Sequence, residues 1–258
     1  MKKHFVAIVC LFISSLTHAC TVSEKGILEK YQKKLNEKHL GQSLDFDQLA
    51  LACKSWPAKK GISILVSPYV STATRHDDQQ FLGLAIMLVD DITGQQVSEL
   101  DHFPISTVDA ISPRTVDIDT AAYKVTSKDL AFGLRIKQQN SSSANPFSEE
   151  MVNLYLPDGA DIKNILTGLV TSGSSGEGGE QCAFERDNNI SVILILKTES
   201  NNFYDLKVRR EIKTWVSRAS QNGCIESLSG KITRSYLISL KNGKYKIPPQ
   251  LKSLSLNK

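Results

Sequence analysis

Leu130-Ala-Phe-Gly-Leu-Arg-Ile-Lys137 decides the fold class. Large apolar side chains at 130, 132, 134 and 136 alternate with small or charged ones at 131, 133, 135 and 137. A period of two is that of a β-strand, whose successive side chains point to opposite faces. Val152, Leu154 and Leu156 repeat the pattern, and Ile62-Ser-Ile-Leu-Val66 begins it just after Gly61. Val192 to Leu196 is an unbroken apolar run, which predicts a strand covered on both faces. Tyr236, Ile238 and Leu240, then Tyr245 and Ile247, flank Asn242-Gly243. That dipeptide suits the two positive φ angles of a type I′ hairpin turn.

Three segments share a grammar of strand, polar glycine-containing turn and strand. They are Leu88 to Leu100 around Gly94, Leu156 to Leu166 around Gly159, and Leu240 to Ile247 around Gly243. Their unequal spacing excludes a regular repeat. The expected body is therefore antiparallel: either a sandwich of ordinary hairpins or meander sheets resembling a partial propeller. Ser141 to Pro146 and the Gly/Ser-rich stretch Thr171 to Gly179 read as loops, the second as a mobile seam in the body. The tail after Pro248-Pro249 has little pattern and is expected to fray.

Upstream of Gly61 the period becomes helical. Ile27, Leu28, Tyr31 and Leu35 predict an amphipathic helix over 23–40, capped by Ser23 and stopped by Gly41. Five lysines against three glutamates on it are read as the solvated face of a docked helix rather than a membrane-surface element. A second short helix is expected over 46–54, ending before Pro57. The fold class is thus mainly β with a short N-terminal helical segment. Its parts are a leader at 1–19, a helical segment at 20–60 and an antiparallel β body at 61–258.

The first nineteen residues set the compartment. Lys2 and Lys3 precede about a dozen mostly apolar residues, and Thr17-His-Ala19 supplies small residues three and one before Cys20. This predicts a secretory signal peptide and a periplasmic or secreted product. The apolar run is too short for a spanning helix, and no later stretch approaches the required length, so no transmembrane segment is expected. Lipidation of Cys20 is disfavoured, because Thr17 and His18 stand where a lipobox carries an aliphatic and a small residue. Four cysteines remain after the leader: Cys20, Cys53, Cys182 and Cys224. An even count in an exported chain predicts two disulfides with three connectivities open, and proximity favours Cys20–Cys53 and Cys182–Cys224. A zinc site is not expected, since the spacing lacks any Cys-x-x-Cys pair.

Cys53-Lys-Ser-Trp-Pro57, Leu88 to Gly94, Asp119-Thr-Ala-Ala-Tyr123 and Ala131-Phe-Gly-Leu-Arg135 together resemble a group of uncharacterised exported proteobacterial proteins, over roughly residues 50–185. The resemblance implies export and a β-rich body, and it assigns no catalytic residue.

The chemistry-bearing residues form no enzyme signature. His39, His76 and His102 lack ligand spacing, and neither Gly-x-Ser-x-Gly nor His-Glu-x-x-His occurs. His39 reads as a cation at a helix C-terminus. The 171–179 stretch lacks the Gly-Lys-Ser/Thr ending of a phosphate loop, so no nucleotide or other cofactor is expected. Asp117 and Asp119 fall on one side of a strand, and Ser174 and Ser175 lie in the supposed loop; these four are the candidate binding residues. The competing reading gives Asp91 turn hydrogen bonds and makes Asp117 or Asp119 a cap. No metal ligands are assigned, because the calcium-loop pattern is missing.

The whole chain has 258 residues, 41% hydrophobic and 22% charged, with 31 basic and 27 acidic side chains. The formal charge of +4 falls to +2 without Lys2 and Lys3. That ordinary composition excludes a disordered or collagenous chain, and the lack of a concentrated basic stripe argues against nucleic acid. The expected function is non-catalytic binding of an envelope or secreted protein, as an inhibitor or immunity-type protein. An envelope-polysaccharide hydrolase and a lipid-anchored structural component are the alternatives.

Overall fold

The structure, a computed structural model, describes residues 21–39, 42–73, 80–178 and 182–256. Among the described residues, helix α1 (Val22–Lys38) is followed by fourteen strands. They are β1 (Gln42–Asp45), β2 (Ala52–Ser55), β3 (Ile62–Ala73), β4 (Gln80–Asp90), β5 (Gln96–Val108), β6 (Ser112–Lys124) and β7 (Leu130–Gln139). Then come β8 (Phe147–Asp158), β9 (Asp161–Gly178), β10 (Phe184–Ser200), β11 (Phe203–Ser220), β12 (Gly223–Ile238), β13 (Leu240–Lys241) and β14 (Lys244–Tyr245). The first twelve strands belong to one sheet, antiparallel except for a single parallel bridge from Glu99 on β5 to Asp161 on β9.

Alternation along the central strands explains how that sheet folds over itself. Ile64 and Val66 of β3 and Leu82, Leu84, Ile86 and Leu88 of β4 share a core with Phe132, Leu134 and Ile136 of β7. Met151 and Tyr155 of β8 join it, so the β3–β4 face lies against the β6–β8 face as in a sandwich. The intervening positions Leu65, Tyr69, Ala85, Met87 and Val89 face outward and are covered by Leu28, Tyr31 and Leu35 of α1. The far side of β8 and β9, through Val152, Leu154, Ile165 and Leu169, packs on Leu206 and Val208 of β11, Ile238 of β12 and the β13–β14 hairpin. Burial on both faces goes with the unbroken apolar run Leu84 to Val89 of β4.

Helix α1 docks on the body, as its apolar stripe requires. Its N-cap is Thr21 rather than Ser23: Thr21 Oγ1 accepts from Glu24 N at 3.2 Å while the Glu24 carboxylate accepts from Thr21 N at 2.6 Å. Such a reciprocal box satisfies two otherwise orphaned N–H groups. The helix ends at Lys38 with His39 as its C-cap. Gly41, the expected stop, lies outside the described residues, as do residues 1–19, expected to be a leader, and Cys20.

Several local expectations are overturned. Residues 46–54 form a turn and then β2, because Ala52 to Ser55 pairs with Val66 to Ser63 of β3 and that ladder outweighs a short isolated helix. The Gly/Ser-rich stretch is no loop: Thr171 to Gly178 is the second half of β9, paired to β8 on one side and β10 on the other. Its glycines give room to neighbours, since a Cβ on Gly176 would stand 2.6 Å from the Phe184 ring. The tail is pinned through Leu256: Leu251 is buried, and Ser253 N donates to Gly168 O at 2.9 Å. Ser253 and Ser255 also meet Gln138 and Glu149 in a buried polar cluster. Residues 140–146 do form a loop, and Asn242 and Gly243 carry the positive φ angles the hairpin predicts.

Candidate functional site

The last three long strands leave the body. β10, β11 and β12 have 17, 18 and 16 residues, so each spans roughly 50–60 Å, well beyond the two-layer core. Their roots are buried at Leu206, Val208 and Ile238, yet from Arg209 through Leu237 no residue is buried. The outer part is therefore an arm that is only partly covered: β10 stays paired to Ser172–Gly178 of β9 along Phe184–Ile190, and the tail reaches Arg210, which donates to Gln250 O. Asn201 and Asn202, both at positive φ, form the turn between β10 and β11, and Gly223 at φ 115 follows the turn into β12. The arm is clipped where β10 begins: Cys182 and Cys224 are disulfide-bonded with Cα atoms 5.4 Å apart, as their proximity in sequence suggested. Cys53, buried on β2, is disulfide-bonded as well.

An arm held mainly by backbone ladders has no need of exposed apolar side chains, but this one is rich in them. Seven of the ten exposed large apolar residues among the described residues lie on β10–β12: Ile190, Val192, Leu194, Ile225, Leu228, Ile232 and Leu237. This corrects the expectation that the Val192 to Leu196 run is covered on both faces. Ile193 and Ile195 pack inward, whereas Ile190, Val192 and Leu194 form an outward stripe, 58%, 45% and 45% exposed. Their partners on β11 are Glu211, Arg209 and Lys207, and the next residue beyond Lys207 is Leu237 on β12. The patch is thus apolar with a mainly cationic interior row. Scattered exposed apolar residues need no explanation, but a contiguous stripe does.

The four residues singled out from sequence do not converge. Asp117 and Asp119 do share a face of β6, but Asp117 is exposed, bonded to Thr115 at 3.2 Å. Asp119 accepts from Ala121 N at 2.9 Å, Tyr123 Oη at 2.7 Å and Arg135 Nε at 2.8 Å. Burial alone would raise its pKa; those bonds and the Arg135 charge outweigh burial and hold it below the usual carboxylate range. Arg135 continues to Glu150 at 2.6 Å and Thr171 at 3.2 Å, so Asp119 anchors a network across β6–β9. Ser174 and Ser175 sit on opposite faces of β9, opposite Ser148 and Phe147. The first-hairpin turn is held by Asp90 rather than Asp91, its Oδ1 accepting from Ile92 N and Thr93 N at 3.0 and 2.7 Å.

His102, half-buried, lines a cavity of about 530 Å³ together with Lys244, Lys246 and Lys252. Its Nδ1 lies 2.8 Å from Tyr155 Oη, and burial first, then Lys244, hold its pKa down to about 4. His39 pairs with Asp101 at 2.7 Å, and His76 lies outside the described residues. No group of three metal-ligating side chains occurs among the described residues, and no described helix is long and apolar enough to cross a membrane. Sequence reasoning passed over the arm, although one signal was present. Lys207, Arg209, Glu211 and Lys213 alternate along β11 with Val208, Arg210 and Ile212, marking a strand with one wet face beside the apolar run. No protein-family model, curated protein or solved structure matches the chain.

Proposed function

We propose that this is an exported, non-catalytic binding protein that engages another protein of the envelope through the outer face of its arm. The observation that carries the reading is the stripe Ile190–Val192–Leu194 with Leu237, exposed on a sheet whose core is already filled elsewhere. Lys207 and Arg209 beside it favour a partner surface that is apolar and edged with carboxylates. The disulfide clip supports a role outside the reducing cytosol. An inhibitor or immunity-type role fits this geometry, with the arm reaching into or across an enzyme. Entry of the 171–178 segment as a free loop does not fit, since that segment is a paired strand.

The test uses the mature protein as bait in an envelope extract, beside a Val192→Asp/Leu194→Asp variant. The expected result is one partner captured in stoichiometric amount by the parent and lost with the variant, at unchanged melting temperature. Equal capture by both proteins would refute the role of the arm face.

A further inference from the structure

β12 is the last strand of the sheet, and among the described residues nothing pairs with its outer edge. An open edge of this length is a template for another strand unless something blocks it. Two features of the strand specify what fits there. The register with β11 runs from Thr214↔Gly230 to Trp215↔Leu228, so Ser229 is an extra, bulged residue. Through their β11 partners, Ile225, Ser227, Gly230 and Ile232 fall on one face, while Glu226, Leu228 and Lys231 fall on the other.

We infer that β12 pairs antiparallel with β12 of a second copy of this chain, about a two-fold axis between Leu228 and Ser229. In that register Ile225 stands opposite Ile232 of the second copy, Glu226 opposite Lys231, and Ser227 opposite Gly230. Each pair matches face to face, as a period of two demands, and the two-fold makes every match twice. Four apolar residues exposed by 51–60% become two cross-strand pairs, and four charges become two opposite-sign pairs. Shifting the register by two residues in one direction sets Leu228 against Lys231 and Ile225 against Arg234. Shifting it in the other sets Ile225 against Gly230. A shift of one sets Ile225 against Lys231 or Glu226 against Ile232, which lie on opposite faces. Glu226 and Lys231 already touch Arg186 and Glu211 within the chain, at 3.1 and 3.0 Å, so the new pairs extend existing charge rows. The edge is distinct from the outward stripe on β10, so the dimer goes beyond the partner-binding reading and leaves that face free.

Sedimentation equilibrium of the disulfide-intact protein over a wide concentration range tests it. The parent is expected to dimerise. Glu226→Lys places lysine against lysine, and Lys231→Glu places glutamate against glutamate, so each variant alone should dimerise about tenfold or more weakly. Mixed in equal amounts, the two variants are complementary at every position and should recover the dimer. A monomeric parent would overturn the inference and leave the edge to a strand of another protein. Variants that dimerise like the parent, or a mixture no better than either alone, would overturn the register. Circular dichroism of each variant verifies the fold, and partner capture by Val192→Asp/Leu194→Asp reports separately on the outward stripe.

Discussion

Leu65 on β3 and Leu194 on β10 are both mid-strand leucines of the same sheet, yet the first is wholly buried and the second is 45% exposed. The difference is what lies above and below. β3 has the β6–β8 face on one side and α1 on the other, so both sets of alternating side chains are covered. β10 has a root packed on β9 and an outward face with nothing upon it among the described residues. In the body, apolar residues drive folding; on the arm, the ladder and the Cys182–Cys224 clip hold the strands, and many of the apolar residues stay exposed. One continuous sheet thus divides into a part that supplies stability and a part that displays surface.

That division can be broken most forcefully in the body. Phe132→Ala, which removes a buried ring stacked on Tyr155 and edge-on to Trp56, should lower global stability by about 3–5 kcal/mol in denaturant unfolding. Removing the clip with Cys182→Ser/Cys224→Ser opens a loop with a sequence separation of 42, worth at most about 4 kcal/mol by chain entropy. The loss should appear as faster amide exchange in 184–190 and 211–230, with little change in β3, β4, β7 and β8; a uniform loss would show that arm and body unfold together.

A third expectation concerns pH and belongs to the body alone. His102 is held neutral by burial and by Lys244, with a folded pKa near 4 against an ordinary value near 6.5. The unfolded chain binds a proton that the folded chain refuses, so stability is full above about 6.5 and declines as pH falls toward 4. The decline is on the order of 3 kcal/mol. His102→Gln should flatten that slope in urea midpoints measured between pH 4 and 7. The smallest effect is expected on the arm: Ile190→Ser should change global stability by no more than about 0.5 kcal/mol. A loss of 2 kcal/mol or more would show that the stripe is core after all.

Much of the body was legible in the sequence. The strict alternation at 130–137, the Asn242-Gly243 turn and the stripe Leu28–Tyr31–Leu35 each specify a local structure that long-range packing then reinforces. What misled were segments whose fate depends on distant neighbours. Ala52 to Ser55 becomes a strand because β3 lies beside it, and the Gly/Ser run becomes a strand because β8 and β10 pair with it from either side, while close neighbours such as Phe184 leave room only for small residues. Val192 to Leu196 carries the same local pattern as a buried strand, and nothing within those five residues states that a covering layer is missing. The candidate site was hidden for that reason. Asp117 and Asp119 drew attention as paired carboxylates, while Asp119 proved to be the anchor of an internal network.

Hydrogen exchange of the intact protein, read peptide by peptide, tests the division most directly. The account predicts that β3, β4, β7 and β8 exchange only through global unfolding, while β11 and β12 beyond Arg209 exchange at markedly lower opening free energies. Equal protection of the outer arm and the body in a monomeric sample would contradict it, because the arm would then be part of the folding core.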